Sequence, residues 1–456
     1  MKIREAIYRL VHMHGVSHTT LNPYGPGVVR IHMIPPKFDI RRHTPSIIIL
    51  NGMDIIPINL SWSILLNVFI TEVNRYDGRE ITDDDLERIV NRTLVKVRRV
   101  YPKTKNNRLK DDLNRIVESL CAIAYGKEVN EDIGYMSIGD YAPFMTAPHR
   151  IDLMVSAMTK NGAWHCNQKC LHCYAAGQPQ AEVKELSTSE WKQIIDKCRK
   201  VGIPQITFTG GEPTMRNDLV ELVEHAQWFV TRVNTNGVNL TKELCKALYD
   251  ASLDSIQITL YSSVEEEHNA LVGANNFQKT VQGIKNALEA GLNVSINTPI
   301  CKGNADYVKT LTFLHELGIE YVSCSGLIVT GNACREASKC TQLTEDELFD
   351  ILKNATEYCT KEHMEISFTS PGWVSEEKLV TLNLTVPTCG ACLSNMAISP
   401  DGSVVPCQSW LSKDAVLGNM LQDNWKKIWN AESCKKIRDF SSSMKQICPL
   451  RNKEEQ

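Results

Sequence analysis

The chain has 456 residues, too long for one core of usual size, with 43 % hydrophobic and 23 % charged residues and a net charge of -3. That balance excludes a largely disordered chain and gives no general polyanion-binding surface. Charges interrupt the N-terminal MKIREAIYRLVHMHG, and no later window reaches the apolar length of a membrane span, so a cytoplasmic protein without membrane contact is expected.

The first region, residues 1–150, reads as an α+β domain. VVRIHMI (28–34) alternates like a strand, and SIIIL (46–50) and MDIIPI (53–58) flank Asn51-Gly52, a strong hairpin signal. Helical patterns follow from 61, 82 and 108, giving three strands and then three helices. The basic run 96–110 could touch nucleic acid, but a solvated loop between helices is the better reading, and no nucleic-acid partner is expected.

Residues 151–370 switch to strand, loop, helix, repeated. Strand candidates are 152–159, 205–210, 229–237, 255–261, 293–300 and 321–329. Ser187 and Glu190 stand in capping-box spacing at one helix start, and Thr344 caps another. Alternation of this kind makes a parallel sheet, and six units suit an incomplete barrel. Residues 371–456 hold Cys389, Cys392, Cys407 and Cys448 on short strands and loops.

Sixteen cysteines in such a chain point to metal ligation or catalysis, because the cytosol keeps thiols reduced. Cys198, Cys245 and Cys359 fall in helical patterns and read as core. The stretch 164–177, WHCNQKCLHCYAAG, differs: Cys166, Cys170 and Cys173 crowd a loop after the first barrel strand. A structural zinc site takes four protein ligands, whereas an iron-sulfur cubane held by three leaves one iron open. Completion of a zinc tetrahedron by His165 or His172 is the competing reading.

This spacing at this place in the fold resembles the radical S-adenosylmethionine (SAM) superfamily. The resemblance covers residues 152–330 and implies a partial (β/α)6 TIM-like barrel. It also implies a [4Fe-4S] cluster on Cys166, Cys170 and Cys173 whose open iron chelates SAM. His172 stands where the family usually has an aromatic residue, and Tyr174 follows the third cysteine, as in a subgroup with extra clusters. The motif Gly210-Gly211-Glu212-Pro213 resembles the one with which the family holds the SAM amino group, so that role passes to it, with a carboxylate to receive the ammonium. Polar residues at other strand ends, Asn234, Thr235, Asn236, Gly237, Thr259, Tyr261 and Asn297, are candidates for the rest of SAM, since barrels build sites there. His268 reads as a loop-ordering residue.

In the last region twelve residues separate Cys389 from Gly402 and four separate Gly402 from Cys407. This resembles the opening of the SPASM extension, or of the shorter twitch domain. It implies one auxiliary iron-sulfur cluster on Cys389, Cys392, Cys407 and Cys448, with Cys434 as a substitute ligand; a zinc ribbon is the alternative. Cys324, Cys334 and Cys340 follow the sixth strand. Cys334 and Cys340 are the candidates to meet a substrate radical, against a plain surface role.

The resemblance implies that an electron from the reduced cluster splits SAM to a 5'-deoxyadenosyl radical, which abstracts hydrogen from a substrate. A low-potential donor such as flavodoxin or ferredoxin would supply the electron. The N-terminal region resembles the winged-helix peptide-recognition domain of enzymes that modify ribosomally made peptides by crosslinking, thioether formation or epimerisation. Such domains add a peptide at a sheet edge. A small molecule or tetrapyrrole, or a sulfatase-type maturation target, are alternative substrates. A non-catalytic iron-sulfur or zinc protein binding nucleic acid is the alternative from another class.

Overall fold

The computed structural model describes residues 3–21, 28–35, 45–76, 80–129 and 133–451. The chain forms two compact units: residues 1–147 with 199–204, and residues 148–198 with 205–456.

In the first unit, β1 (Ser17–Leu21), β2 (Val29–Ile34), β3 (Ser46–Leu50) and β4 (Asp54–Ile58) form an antiparallel meander in that order. Asn51 and Gly52, both with positive φ, make the turn closed by Met53 N on the Leu50 carbonyl (3.0 Å), in a three-residue loop from β3 into β4. The sheet buries Ile31, Met33, Ile48, Leu50 and Ile56 against α2 (Leu60–Val73), α3 (Asp83–Val100) and α4 (Asn106–Ala124). Asn59 and Thr82 cap the first two of these helices. The helix α1 (Ile3–His12), β1 and the short helix Ile138–Tyr141 lie outside the expected strands and helices. β1 is a half-buried SHTTL, whose polar side chains give little apolar alternation. Lys96, from the basic run, pairs with the fully buried Glu72.

The second unit is built on one ten-stranded sheet. Its parallel part is β5 (Arg150–Ser156), β8 (Gln205–Gly210), β9 (Val230–Thr235), β10 (Ser255–Thr259), β11 (Val294–Pro299), β12 (Tyr321–Ser325) and β13 (Glu365–Phe368), and β6 (Thr159–Lys160) and β7 (Ala163–Trp164) make a small hairpin after β5. The six expected strands are there, with a seventh, β13, paired to β12. On the opposite edge β14 (Asn395–Ile398) pairs in parallel with β5, and β15 (Ser403–Val405) and β16 (Gly418–Asn419) continue it. The C-terminal cysteine region therefore grows directly out of the barrel sheet.

Alternation sets the two faces. Ile206, Phe208, Val233, Ile256, Ile258 and Ile296 are buried on one face, where the helices lie. The registered partners Thr207 and Arg232, Asn234 and Gln257, and Asn297 and Ser323 line the other. Gln257 Nε2 reaches Ser323 Oγ at 3.2 Å across the intervening β11, so this face curves inward on itself. No helix among the described residues is long and apolar enough to cross a membrane.

Candidate active site

The loop after β7 carries the first three cysteines. Cys166 Sγ lies 3.4 Å from the Gly211 carbonyl, and the amides of Gln168 and Asn167 point at its sulfur. The amides of Ala175 and Ala176 point at Cys173. Burial, with Glu212 and Cys173 adding to it, pushes the Cys166 thiol up to about 12; burial and the other two cysteines push Cys170 up as well. Three buried thiols crowded in this way ionise together only beside a strong cation, and coordinated metal does that outright. The donor set therefore fits an iron-sulfur cluster. The histidines of the zinc alternative are turned away: His172 Nε2 bonds Thr341 Oγ1 at 2.8 Å, and His165 Nε2 lies 3.8 Å from Glu185. Among the described residues no three metal-ligating side chains converge on a single-ion site.

A clamp that sequence reasoning missed holds this loop. After β12 the segment 330–341 donates from Asn332 N to the Cys173 carbonyl (2.9 Å), from Asn332 Nδ2 to the Cys170 carbonyl (3.0 Å) and from Ser338 Oγ to the Leu171 carbonyl (2.8 Å). Gly331 has φ +59, and a Cβ there would stand 2.4 Å from the Tyr174 carbonyl. Cys334 and Cys340 ride on this clamp as exposed thiols, whereas Cys324 is buried on β12.

At the end of β8, Gly210 and Gly211 let the backbone press against β5: a Cβ on Gly210 would meet the Ser156 carbonyl at 2.2 Å, and one on Gly211 the Ala157 carbonyl at 2.8 Å. Pro213 opens a short 3-10 turn capped by Glu212. The Glu212 carboxylate is 1 % exposed and accepts four hydrogen bonds. Its Oε1 accepts from Thr214 N (3.0 Å), Thr214 Oγ1 (2.6 Å) and Thr235 Oγ1 (2.6 Å), and its Oε2 from Asn236 N (2.8 Å). Burial nonetheless holds its pKa above the ordinary carboxylate value. The carboxylate joins the ends of β8 and β9, and its Oε2, which accepts one bond, keeps a lone pair for the expected ammonium.

Thr235 and Asn236 serve the same joint, and Asn236 Nδ2 reaches Asn167 Oδ1 on the cysteine loop at 2.5 Å. Thr259 and Asn297 are register partners on β10 and β11, both half-buried, and Asn297 Oδ1 accepts from Ser323 Oγ at 3.1 Å. Deeper on this face, Thr207 Oγ1 and Asn234 Oδ1 are buried polar atoms without a hydrogen-bond partner. Arg232 Nε bonds Ser255 Oγ at 3.2 Å. Tyr261 is buried behind the site, and its amide donates to His268 Nδ1 at 3.3 Å, which orders the loop. The Tyr174 hydroxyl bonds Thr209, and its ring lies within electrostatic reach of both Cys173 and Cys407.

Val405 and Leu411, on either side of Cys407 in the chain, share the hydrophobic cluster against which Cys166, Cys173 and Tyr174 pack. Cys389, Cys407 and Cys448 lie near one another, each of the last two raised chiefly by burial and then by its neighbours. Cys392 is different: fully buried at φ 55, it hydrogen-bonds Cys434, whose sulfur also receives Arg438 Nη1 at 3.5 Å. Cys407 also raises Cys392, so all four expected auxiliary ligands lie within electrostatic reach of the group, and Cys392 bonds Cys434 in addition.

Residues 165–314 match the radical SAM superfamily model, and residues 389–450 match the SPASM model, an iron-sulfur cluster-binding domain. Fe-coproporphyrin III synthase of Methanosarcina barkeri is 33 % identical over 196 residues, 42 % of this chain and 49 % of that protein, so the chain spans about half of its length. An AdoMet-dependent heme synthase of Oleidesulfovibrio alaskensis is 29 % identical over 282 residues, 58 % of this chain and 71 % of that one. Streptococcus suis SuiB bound to S-adenosylmethionine superposes with a TM-score of 0.59 at 16 % identity, over 87 % of each chain. SuiB bound to precursor peptide SuiA gives 0.58 at 15 %, over 89 % of this chain and 91 % of that one. The two likenesses to SuiB show a shared fold.

Proposed function

We infer, from the radical SAM and SPASM domains that this chain carries, that it cleaves SAM reductively and uses the resulting radical to take hydrogen from a substrate. When bound, the cluster and SAM supply a 5'-deoxyadenosyl radical. The chain's part is to hold and orient. Cys166, Cys170 and Cys173 are the ligands assigned to the first cluster, and the clamp at 330–341 keeps their loop in one shape. Gly210 and Gly211 give SAM a backbone surface beside Cys166, made rigid by Glu212, Thr235 and Asn236. Thr259 and Asn297 sit at the neighbouring strand ends, within the face that SAM and substrate would share. The single observation that carries this reading is the contact of Cys166 with the Gly211 carbonyl, which puts the cluster loop and the glycine motif side by side. Production of 5'-deoxyadenosine by anaerobically reconstituted, reduced protein tests it.

The substrate proposed is a ribosomally made peptide. Support comes from the polar inward face of the sheet, where Thr207 Oγ1 and Asn234 Oδ1 lack a partner among residues otherwise bonded to one another. Amide groups can satisfy such atoms, which an apolar surface leaves unpaired. The four-stranded N-terminal sheet offers edges for an added strand. The sequence relatives favour a second reading, a tetrapyrrole, since two of them are named for coproporphyrin and heme chemistry. The readings separate by which addition raises 5'-deoxyadenosine output: short peptides encoded beside the gene, or the iron complex of coproporphyrin III.

A further inference from the structure

The inward face of the barrel sheet carries more positive charge than it balances. Arg232 on β9 and Thr207 on β8 are register partners, and Asp152 on β5 continues the same row. Asp152, 1 % exposed, is already taken: Arg150 Nε lies 2.9 Å from its Oδ1 and Arg150 Nη2 3.5 Å from its Oδ2. One carboxylate cannot balance two guanidinium groups, and among the described residues no acid forms an ion pair with Arg232.

Arg232 is also short of acceptors. Its Nε donates to Ser255 Oγ at 3.2 Å, while neither Nη atom donates to a described residue and neither is sealed from solvent. Two neighbours share this state. Thr207, 1 % exposed, has a buried hydroxyl without a partner, and Asn234, two residues along β9 on the same face, makes no side-chain hydrogen bond. Burial, with Arg150 adding to it, lowers the Arg232 pKa from its ordinary value, as fits a cation short of counter-charge. Two free N–H groups in a planar fork match the two oxygens of a carboxylate.

We propose that Arg232 determines specificity by taking a carboxylate of the substrate on Nη1 and Nη2, with Thr207 Oγ1 and Asn234 Nδ2 as further donors. The inference rests on the reading of this face as the substrate side of a radical enzyme, and it narrows the substrate to an acid. An aspartate, a glutamate or the chain end of a peptide offers that group, and so does a propionate of a tetrapyrrole. Thr207 stands three residues before Gly210 on β8, so the carboxylate is held roughly 10 Å deeper than the motif assigned to SAM. The acid end is anchored below, and the rest of the substrate extends towards the radical.

The test is equilibrium binding to the anaerobically reconstituted full chain in the presence of SAM, with two matched pairs of probes. One pair is the iron complex of coproporphyrin III and its tetra-amide; the other is a pool of nine-residue random peptides with a central glutamate and the same pool with glutamine. Wild type is expected to prefer the acid by roughly tenfold in one pair, and that pair names the source of the carboxylate. Arg232→Gln, with the iron content kept, is expected to bring the preference down to about twofold or less. Arg232→Lys keeps the charge and loses the fork, so its preference should fall between the two. If the Gln variant does not load iron, the Lys variant decides, and a preference there equal to that of wild type overturns the proposal. No preference for the acid in either pair, or a preference that survives in Arg232→Gln, overturns it as well. A wild type that prefers the acid yet forms no 5'-deoxyadenosine when reduced with SAM defeats the radical reading and leaves the carboxylate site standing, which is a different failure.

Discussion

Asn236 Nδ2 donates to Asn167 Oδ1 at 2.5 Å, and this bond ties the end of β9 to the loop between the first two cysteines. Behind it, Asn236 N and Thr235 Oγ1 both donate to Glu212. The cluster loop and the glycine motif are thus one hydrogen-bonded body, with Glu212 at its buried centre.

Glu212→Gln replaces two acceptor oxygens by one and puts an N–H against donors. Leaving buried donors unpaired costs about 1 to 3 kcal/mol. SAM affinity of the reconstituted protein is expected to weaken by roughly tenfold or more, with iron content unchanged. Equilibrium binding of SAM checks this; an unchanged Kd would show that the joint is irrelevant to the ligand.

Gly210→Ala forces a Cβ to within 2.2 Å of the Ser156 carbonyl at φ +138, while Gly211→Ala meets the Ala157 carbonyl at 2.8 Å. A side chain in an incompatible conformation costs more than about 1 kcal/mol. Thermal unfolding is expected to show Gly210→Ala as the less stable of the two. The reverse order would mean that β8 and β5 do not approach in this way.

The auxiliary site separates its cysteines by role. In a background without Cys166, Cys170 and Cys173, alanine at Cys389, Cys407 or Cys448 is expected to abolish the remaining iron. Cys392→Ala, which disturbs the pair with Cys434, is expected to leave it bound. Equal loss in all four would restore the four-cysteine set.

His268 is fully buried, and burial pushes its imidazole down to about 4. The unfolded chain takes up a proton near pH 6.5 that the native state refuses, so this contribution to stability is present above pH 6.5 and is lost as pH falls towards 4. Between pH 7 and pH 5 the loss is about 2 kcal/mol. Urea unfolding of wild type and His268→Gln at both pH values reads it: the wild type should fall more steeply by that amount, and parallel curves would contradict the burial argument.

Much of the site was legible because its chemistry is local in the chain. Cys166, Cys170 and Cys173 lie within eight residues, and Gly210 to Pro213 are contiguous, so spacing alone carries the pattern. What stayed hidden depends on distant contacts. Two of the four donors on Glu212 come from Thr235 and Asn236 at the end of the next strand, and the partner of Cys392 is Cys434, on a later helix. β13 is only EISF, mostly exposed, with no apolar run to announce it, and the pairing of β14 with β5 joins residues far apart in sequence. Asn332 and Gly331 had no motif at all; only the fold brings them onto the cysteine loop.

The most direct measurement is 5'-deoxyadenosine formation by the anaerobically reconstituted, dithionite-reduced chain with SAM, run beside the Cys166, Cys170 and Cys173 triple alanine variant. The wild type should form the nucleoside and show an EPR spectrum altered by SAM, and the triple variant should do neither. Iron-loaded, reduced wild type that leaves SAM intact and shows no spectral response to it would contradict the account.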